Sequence, residues 1–142
     1  MRAGLPDAAP DVEPVGPRLD ERLAAWHRKV KRDAGRFATL DEAARHRLRK
    51  RIKRLRYGLE FARGCLGAKK SARLLAALAE AQAQLGVLND SGVALQALRA
   101  ATVEDPAVAF AIGWLAARQE VLVAACTPAL AQLAEARPPW KR

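Results

Sequence analysis

Residues 46–57 read HRLRKRIKRLRY, in which seven lysine or arginine side chains and one histidine surround three aliphatics, Leu48, Ile52 and Leu55. The aliphatic series continues as Leu59, Ala62 and Leu66 at intervals of three and four. With His46 at zero and 100° per residue, these six side chains fall within roughly 160° to 240°, one stripe of an α-helix. That stripe is the face to be buried, and the cations point away from it. His46, Lys50, Lys53 and Tyr57 fall within about 40° of zero, Arg49, Arg56 and Glu60 lie to one side, and Arg54 lies to the other. Arg47 and Arg51 take intermediate angles and are expected to be ordinary solvated positions.

A stripe of this kind needs other helices to cover it. The chain has 142 residues and is 51% apolar, enough for one modest domain with its own core. Its seven aromatics, abundant alanine, and Gly and Pro gathered at the ends and at a few punctuation points suit helices better than strands. The fold class read from this is all-α.

Residues 1–17 hold four prolines, two glycines and three acids with hardly any large apolar side chain, and read as a flexible leader. A first helix follows from Leu19 through Leu23, Trp26, Val30, Ala34 and Phe37, ending near Gly35 to Thr39. Thr39 or Asp41 can cap the second helix, which runs to about Gly64 or Gly67. A third starts near Ser71 with Leu74, Leu75, Leu78, Leu85 and Leu88. Gly86 is read as a site of close packing or a weak point, and Gly92 leaves open whether the helix continues through Asn89 and Asp90. A last helix begins at Asp105-Pro106, a cap and first-turn pair, carries Val108, Ile112, Leu115, Leu122, Leu130 and Leu133, and is expected to kink at Pro128. Short connections make this an antiparallel four-helix bundle over residues 18–137, followed by a short tail, 138–142, with a mobile Trp140.

The net charge of +10 is local. Residues 1–44 carry eight basic and eight acidic groups, residues 45–56 carry eight basic groups and no acid, and residues 57–142 carry nine basic and seven acidic groups. Charge of one sign packed on one segment attracts an anionic partner and repels itself when none is bound. Cys65 and Cys126 stand in no metal or redox spacing and read as small buried hydrophobes in preference to a structural disulfide, which suits a cytoplasmic protein. No basic start followed by an apolar run marks a signal, and the run Pro106 to Ala117 stops at Arg118, too short to span a bilayer; no membrane partner is expected.

Cations three and four apart repel by a few tenths of a kcal/mol per pair. A phosphate-rich ligand compensates, because guanidinium forks bind phosphate oxygens bidentately, lysine supplies a point charge, and His and Tyr donate hydrogen bonds. The plain alternative is a solvated face that confers only solubility, which does not require the histidine and tyrosine aligned with the cations. His46 is read as a ligand contact in preference to a surface histidine bonded to an acid. With no second ligand at i+4, a metal role for it is not expected.

Two motifs carry a resemblance. His46-x-x-Arg49-x-x-x-Lys53-x-x-Arg56-Tyr57-x-x-Glu60, followed by Gln82-x-x-Leu85-Gly86-x-x-Asn89-Asp90, resembles the C-terminal half of a CHAD domain, the conserved histidine α-helical domain, over about residues 19–136. The resemblance implies a helical domain that binds inorganic polyphosphate through basic residues lining a central groove, without catalysis or a cofactor. Carried over by position, His46, Arg49, Lys53, Arg56 and Tyr57 form the phosphate-facing set and Glu60 orients one of the cations. The helical angles add Lys50 and Arg54, and Arg28 and Arg32 are secondary candidates. The family domain usually holds two four-helix halves, whereas this chain supplies one, so it is expected either to be a fragment or to rebuild the double bundle as a homodimer. The resemblance then points to the cytoplasm, polyphosphate granules included.

No glycine-rich phosphate loop, carboxylate pair on the basic face or nucleophile with a base at helical spacing occurs, so no enzyme is expected. The rival reading is a nucleic-acid binder using the same helix, since counterion release drives binding to any phosphate chain. The helix offers no Asn or Gln among its cations for adenine, and too few aromatics for stacking. Asn89-Asp90 and Gln82 read as structural, through a cap or a hydrogen bond across the bundle. His27 reads as structural or solvated, and Trp114 as a packing residue.

Overall fold

The computed structural model describes residues 15–101 and 104–140. Four helices follow one another: α1 (Val15–Gly35), α2 (Glu42–Leu66), α3 (Ala68–Ala100) and α4 (Pro106–Glu135), with a single 3-10 turn, Phe37–Thr39, between α1 and α2. No strand occurs among the described residues. Each helix packs on the next and α4 closes back on α1, so α2 and α4 stand diagonally across the ring. Neighbours run antiparallel. Arg56 meets Gln82 and Glu42 meets Gln96 between α2 and α3, and Gly92 lies against Gln119 between α3 and α4. The all-α bundle expected from the sequence is the fold observed.

The boundaries follow local chemistry. α1 starts at Val15, so three residues of the stretch read as leader are helical, while residues 1–14 lie outside the described part. Pro17 falls in the first turn, where its missing N–H leaves no bond unmade. Asp41, and not Thr39, caps α2, accepting from the Ala44 amide at 2.7 Å, while Thr39 Oγ1 donates to the Arg36 carbonyl. Gly67 alone separates α2 from α3. It holds φ +91°, a backbone region that favours glycine, and its amide donates to the Arg63 carbonyl at 3.1 Å. α3 is one continuous helix through Asn89, Asp90 and Gly92, which excludes a capping role for the Asn-Asp pair. Asp105 caps α4 on the Ala107 amide with Pro106 in the first turn, and the helix continues through Pro128.

The core is a column of aliphatics: Leu23 and Val30 from α1, Leu48, Ile52, Leu55 and Leu59 from α2, Leu74, Leu78 and Leu85 from α3, Leu130 and Leu133 from α4, closed at one end by Phe37. Each such side chain contributes about 1.5–3 kcal/mol by leaving water, so the α2 stripe is what seats the charged helix. Gly58 sets the approach of α1 to α2. A Cβ there would stand 2.9 Å from Leu23 Cδ2 and 3.0 Å from the Trp26 ring.

Several expectations are corrected here. Cys126 is buried but Cys65 is exposed, near the end of α2. Trp140 is not a loose tail residue. It packs on the core margin and meets the buried His27 edge-on at 5.4 Å, so His27 is structural. Trp114 does not pack inside: it is 53% exposed, with Arg118 stacked on its ring at 5.3 Å, and shares an open face of α4 with Phe110 and Val121. The run broken at Arg118 belongs to a 30-residue helix, so α4 is long and apolar enough, by length and composition alone, to cross a membrane, contrary to the length argument above. The second half of the same helix supplies Cys126, Ala129, Leu130 and Leu133 to the bundle core.

Candidate polyanion-binding site

The cations of α2 divide into three sets around the helix. Lys50, Lys53, His46 and Tyr57 are exposed on the outward face, where one-sided sequence periodicity places them. Among the described residues no acid pairs with Lys50 or Lys53. The aromatic Phe61, 85% exposed, follows Tyr57 by one turn on this side.

The second set leans toward α3. Arg56 is half-buried and held by two partners: its Nε donates to Glu60 Oε1 at 3.2 Å and its Nη1 donates to Gln82 Oε1 at 3.1 Å. Glu60 does pair with one of the cations, and Gln82, from the second motif, steadies the same guanidinium. Arg49 is also half-buried, and its Nε is fully covered yet has no hydrogen-bond partner among the described residues. It borders a cleft of ≈ 850 Å³ lined by α2, α3 and α4, with Asn89 on its α3 wall. The two motifs, far apart in sequence, are thus joined at Arg56–Gln82 and opposed at Arg49 and Asn89.

The third set faces α1. Arg54 stacks over Trp26 at 5.1 Å from the ring centre, which draws it away from the groove side and leaves it on the α1 flank. Arg51 is not an ordinary solvated position. Its Nη1 donates to Asp33 Oδ2 at 2.7 Å, while Arg32 Nε and Arg36 Nη2 both donate to Asp33 Oδ1. Burial raises the pKa of the Asp33 carboxyl, yet the hydrogen bonds and charge of Arg32, Arg36 and Arg51 outweigh it and hold the carboxyl below the usual range. Arg32 is therefore committed to the α1–α2 seam. Arg28 is exposed on α1, and no described contact joins it to α2.

The cleft recruits residues that the helical angles of α2 alone do not reveal. Arg45 comes from its first turns, Gln96 and Arg99 from the end of α3, and Gln119 from α4. Arg45 sits beside the buried stripe in angle, and the others require the register between helices, which sequence spacing does not carry. Glu42, at the rim, accepts from Gln96 Nε2 at 3.4 Å. Among the described residues no three His, Cys, Asp or Glu side chains gather as a metal group would need.

Together the fold and this arrangement define a class: a helical bundle with one acid-poor basic helix face beside an interhelical cleft. More narrowly, the family model of the CHAD domain matches residues 2–99, which take in nearly all of α1 to α3, and the chain belongs to the CHAD family. That family is linked in general to polyphosphate binding and is generally a non-catalytic binding domain. No characterised protein and no solved structure matches the chain significantly.

Proposed function

We propose that the protein binds inorganic polyphosphate along the outward face of α2, as a binding module without catalysis. One observation carries the reading: Lys50 and Lys53 stand exposed in line with His46 and Tyr57, with no acid paired to them among the described residues, while the neighbouring Arg51 and Arg56 are neutralised. A helix that ties Arg51 and Arg56 to acids and leaves its ridge charged presents a linear positive strip, complementary to a chain with a negative charge on every unit. Arg49 and Arg56 bound the strip on the α3 side.

The second reading is a single-stranded nucleic acid, favoured by the exposure of Tyr57 and Phe61 beside the strip, where bases can stack. Competition at several salt concentrations separates the two. Long-chain polyphosphate should remain bound against equal phosphate concentrations of duplex and single-stranded DNA. Displacement by either DNA overturns the polyphosphate reading. Replacing Lys50 and Lys53 together by Gln should lower the slope of log K against log salt by about two, roughly one per lost phosphate contact, whereas Arg47→Gln should change it little.

A further inference from the structure

The cleft differs in kind from the strip. Three guanidiniums, Arg45, Arg49 and Arg99, converge on it with His46, against the single carboxylate of Glu42. Its back wall meets the core through Leu85 and Leu88, with buried Leu95 beside them, and α4 contributes Ala116 and Gln119. A space backed in this way is a recess and not a passage. Two polar atoms at this place are buried without partners among the described residues: Arg49 Nε, a donor, and Gln119 Oε1, an acceptor. Gly92 lets Gln119 lie there, because a Cβ at Gly92 would come within 2.9 Å of Gln119 Nε2. The unpaired Arg49 Nε donor carries a free-energy cost that a phosphoryl oxygen relieves, whereas Gln119 Oε1 is itself an acceptor and gains no bond from one.

We infer that this recess holds the terminal phosphoryl group of a linear polyphosphate, while the strip of Lys50 and Lys53 holds the units that follow. The inference rests on the polyphosphate reading and sharpens it from a chain to a chain end. A terminal phosphoryl carries about −1.5 to −2 charge and three acceptor oxygens, whereas an internal unit carries roughly −1 and two free oxygens. Donors converging from several helices onto a recess match the end, and an exposed ridge matches the repeating interior. His46, at both the recess margin and the head of the strip, joins the two parts. A metal cation is the wrong occupant for a site with several guanidiniums and one acid. The walls carry too many charged groups for an apolar ligand.

The test compares linear tripolyphosphate, rich in ends, with long-chain polyphosphate measured per phosphate, where ends are scarce, and adds cyclic trimetaphosphate, which has none. The wild-type protein should bind the linear trimer at least tenfold more tightly than the ring. Arg99→Gln, an exposed position near the end of α3, should weaken the linear trimer about tenfold and leave the long chain within twofold. Lys50→Gln with Lys53→Gln should weaken the long chain more than the trimer. Asn89→Leu, on the opposite wall, should repeat the Arg99 pattern and guards against a local effect of one variant. Equal proportional losses for both ligands in both sets of variants overturn the chain-end assignment while leaving polyphosphate binding intact. Failure of the wild type to bind any of the three overturns the polyphosphate reading itself.

Discussion

Asp33 shows how much a single residue's role depends on its neighbours. Sequence angles made Arg51 a solvated cation because a helical wheel knows nothing of the facing helix, and the acid that claims Arg51 lies eighteen positions away on α1. Removing that acid with Asp33→Ala should cost about 2–3 kcal/mol, the scale of hydrogen bonds to a charged group, read as a lower denaturation midpoint at neutral pH. The Asp33 pKa is lowered in the folded state, so its contribution is full above its unfolded value near pH 4 and fades as pH falls below it. His27 acts in a different window. Burial first and Lys31 next lower its pKa, against a hydrogen bond with the Ala136 backbone, with Arg28 adding to the lowering. The folded state therefore favours the neutral ring, whose Nε2 is buried without a partner beside Trp140. Stability should be level above pH 6.5 and decline as the pH drops through that value toward the folded pKa. Melting temperatures between pH 8 and pH 5 should show this step in the wild type and not in His27→Gln.

At the scale of elements, hydrophobic spacing told which residues form helices and which face they bury, since Leu48, Ile52, Leu55 and Leu59 are all fully buried. It told less about glycines, because a glycine leaves no pattern and its meaning depends on what lies opposite. Gly86, set within the second motif, has no heavy atom within 4 Å of where a Cβ would be, so it is a weak point of α3 and not a close contact. Gly58, which drew no attention in the sequence, is the place where α1 and α2 touch. The two should respond in opposite directions. Gly86→Ala should stabilise by about 0.5–1 kcal/mol through helix propensity alone. Gly58→Ala should destabilise by about 1–3 kcal/mol, because the methyl group meets Leu23, which is fully buried and has no space to yield. Chemical denaturation of both variants, with helix content from circular dichroism as the check on folding, tests the pair. A stabilised Gly58→Ala would mean that the α1–α2 seam is looser than its geometry shows.

The whole molecule sets the strip and the apolar face of α4 on opposite sides of the ring, since α2 and α4 are diagonal. That arrangement bears on how two copies would meet. Two copies meeting through Phe110, Trp114 and Val121 would point their basic strips away from each other, whereas two copies meeting across α2 bring like charges together. Each chain carries a net charge of +10, so the second arrangement is repulsive without a ligand and favoured once a polyanion lies between the strips. We expect pairing across α2 to be linked to polyphosphate. Chains should be added whose length matches the strip, about 16 Å for the eleven helical steps from His46 to Tyr57, so that two copies cannot sit side by side along one chain. Light scattering should then report two protein copies per polyphosphate chain at low salt and one copy without it. Trp114→Glu should leave that stoichiometry unchanged, and Lys50→Gln with Lys53→Gln should abolish it. One copy per chain in the wild type, or loss of pairing on Trp114→Glu, would place the partner surface elsewhere, because only a shared channel makes the ligand itself the link between the two bundles.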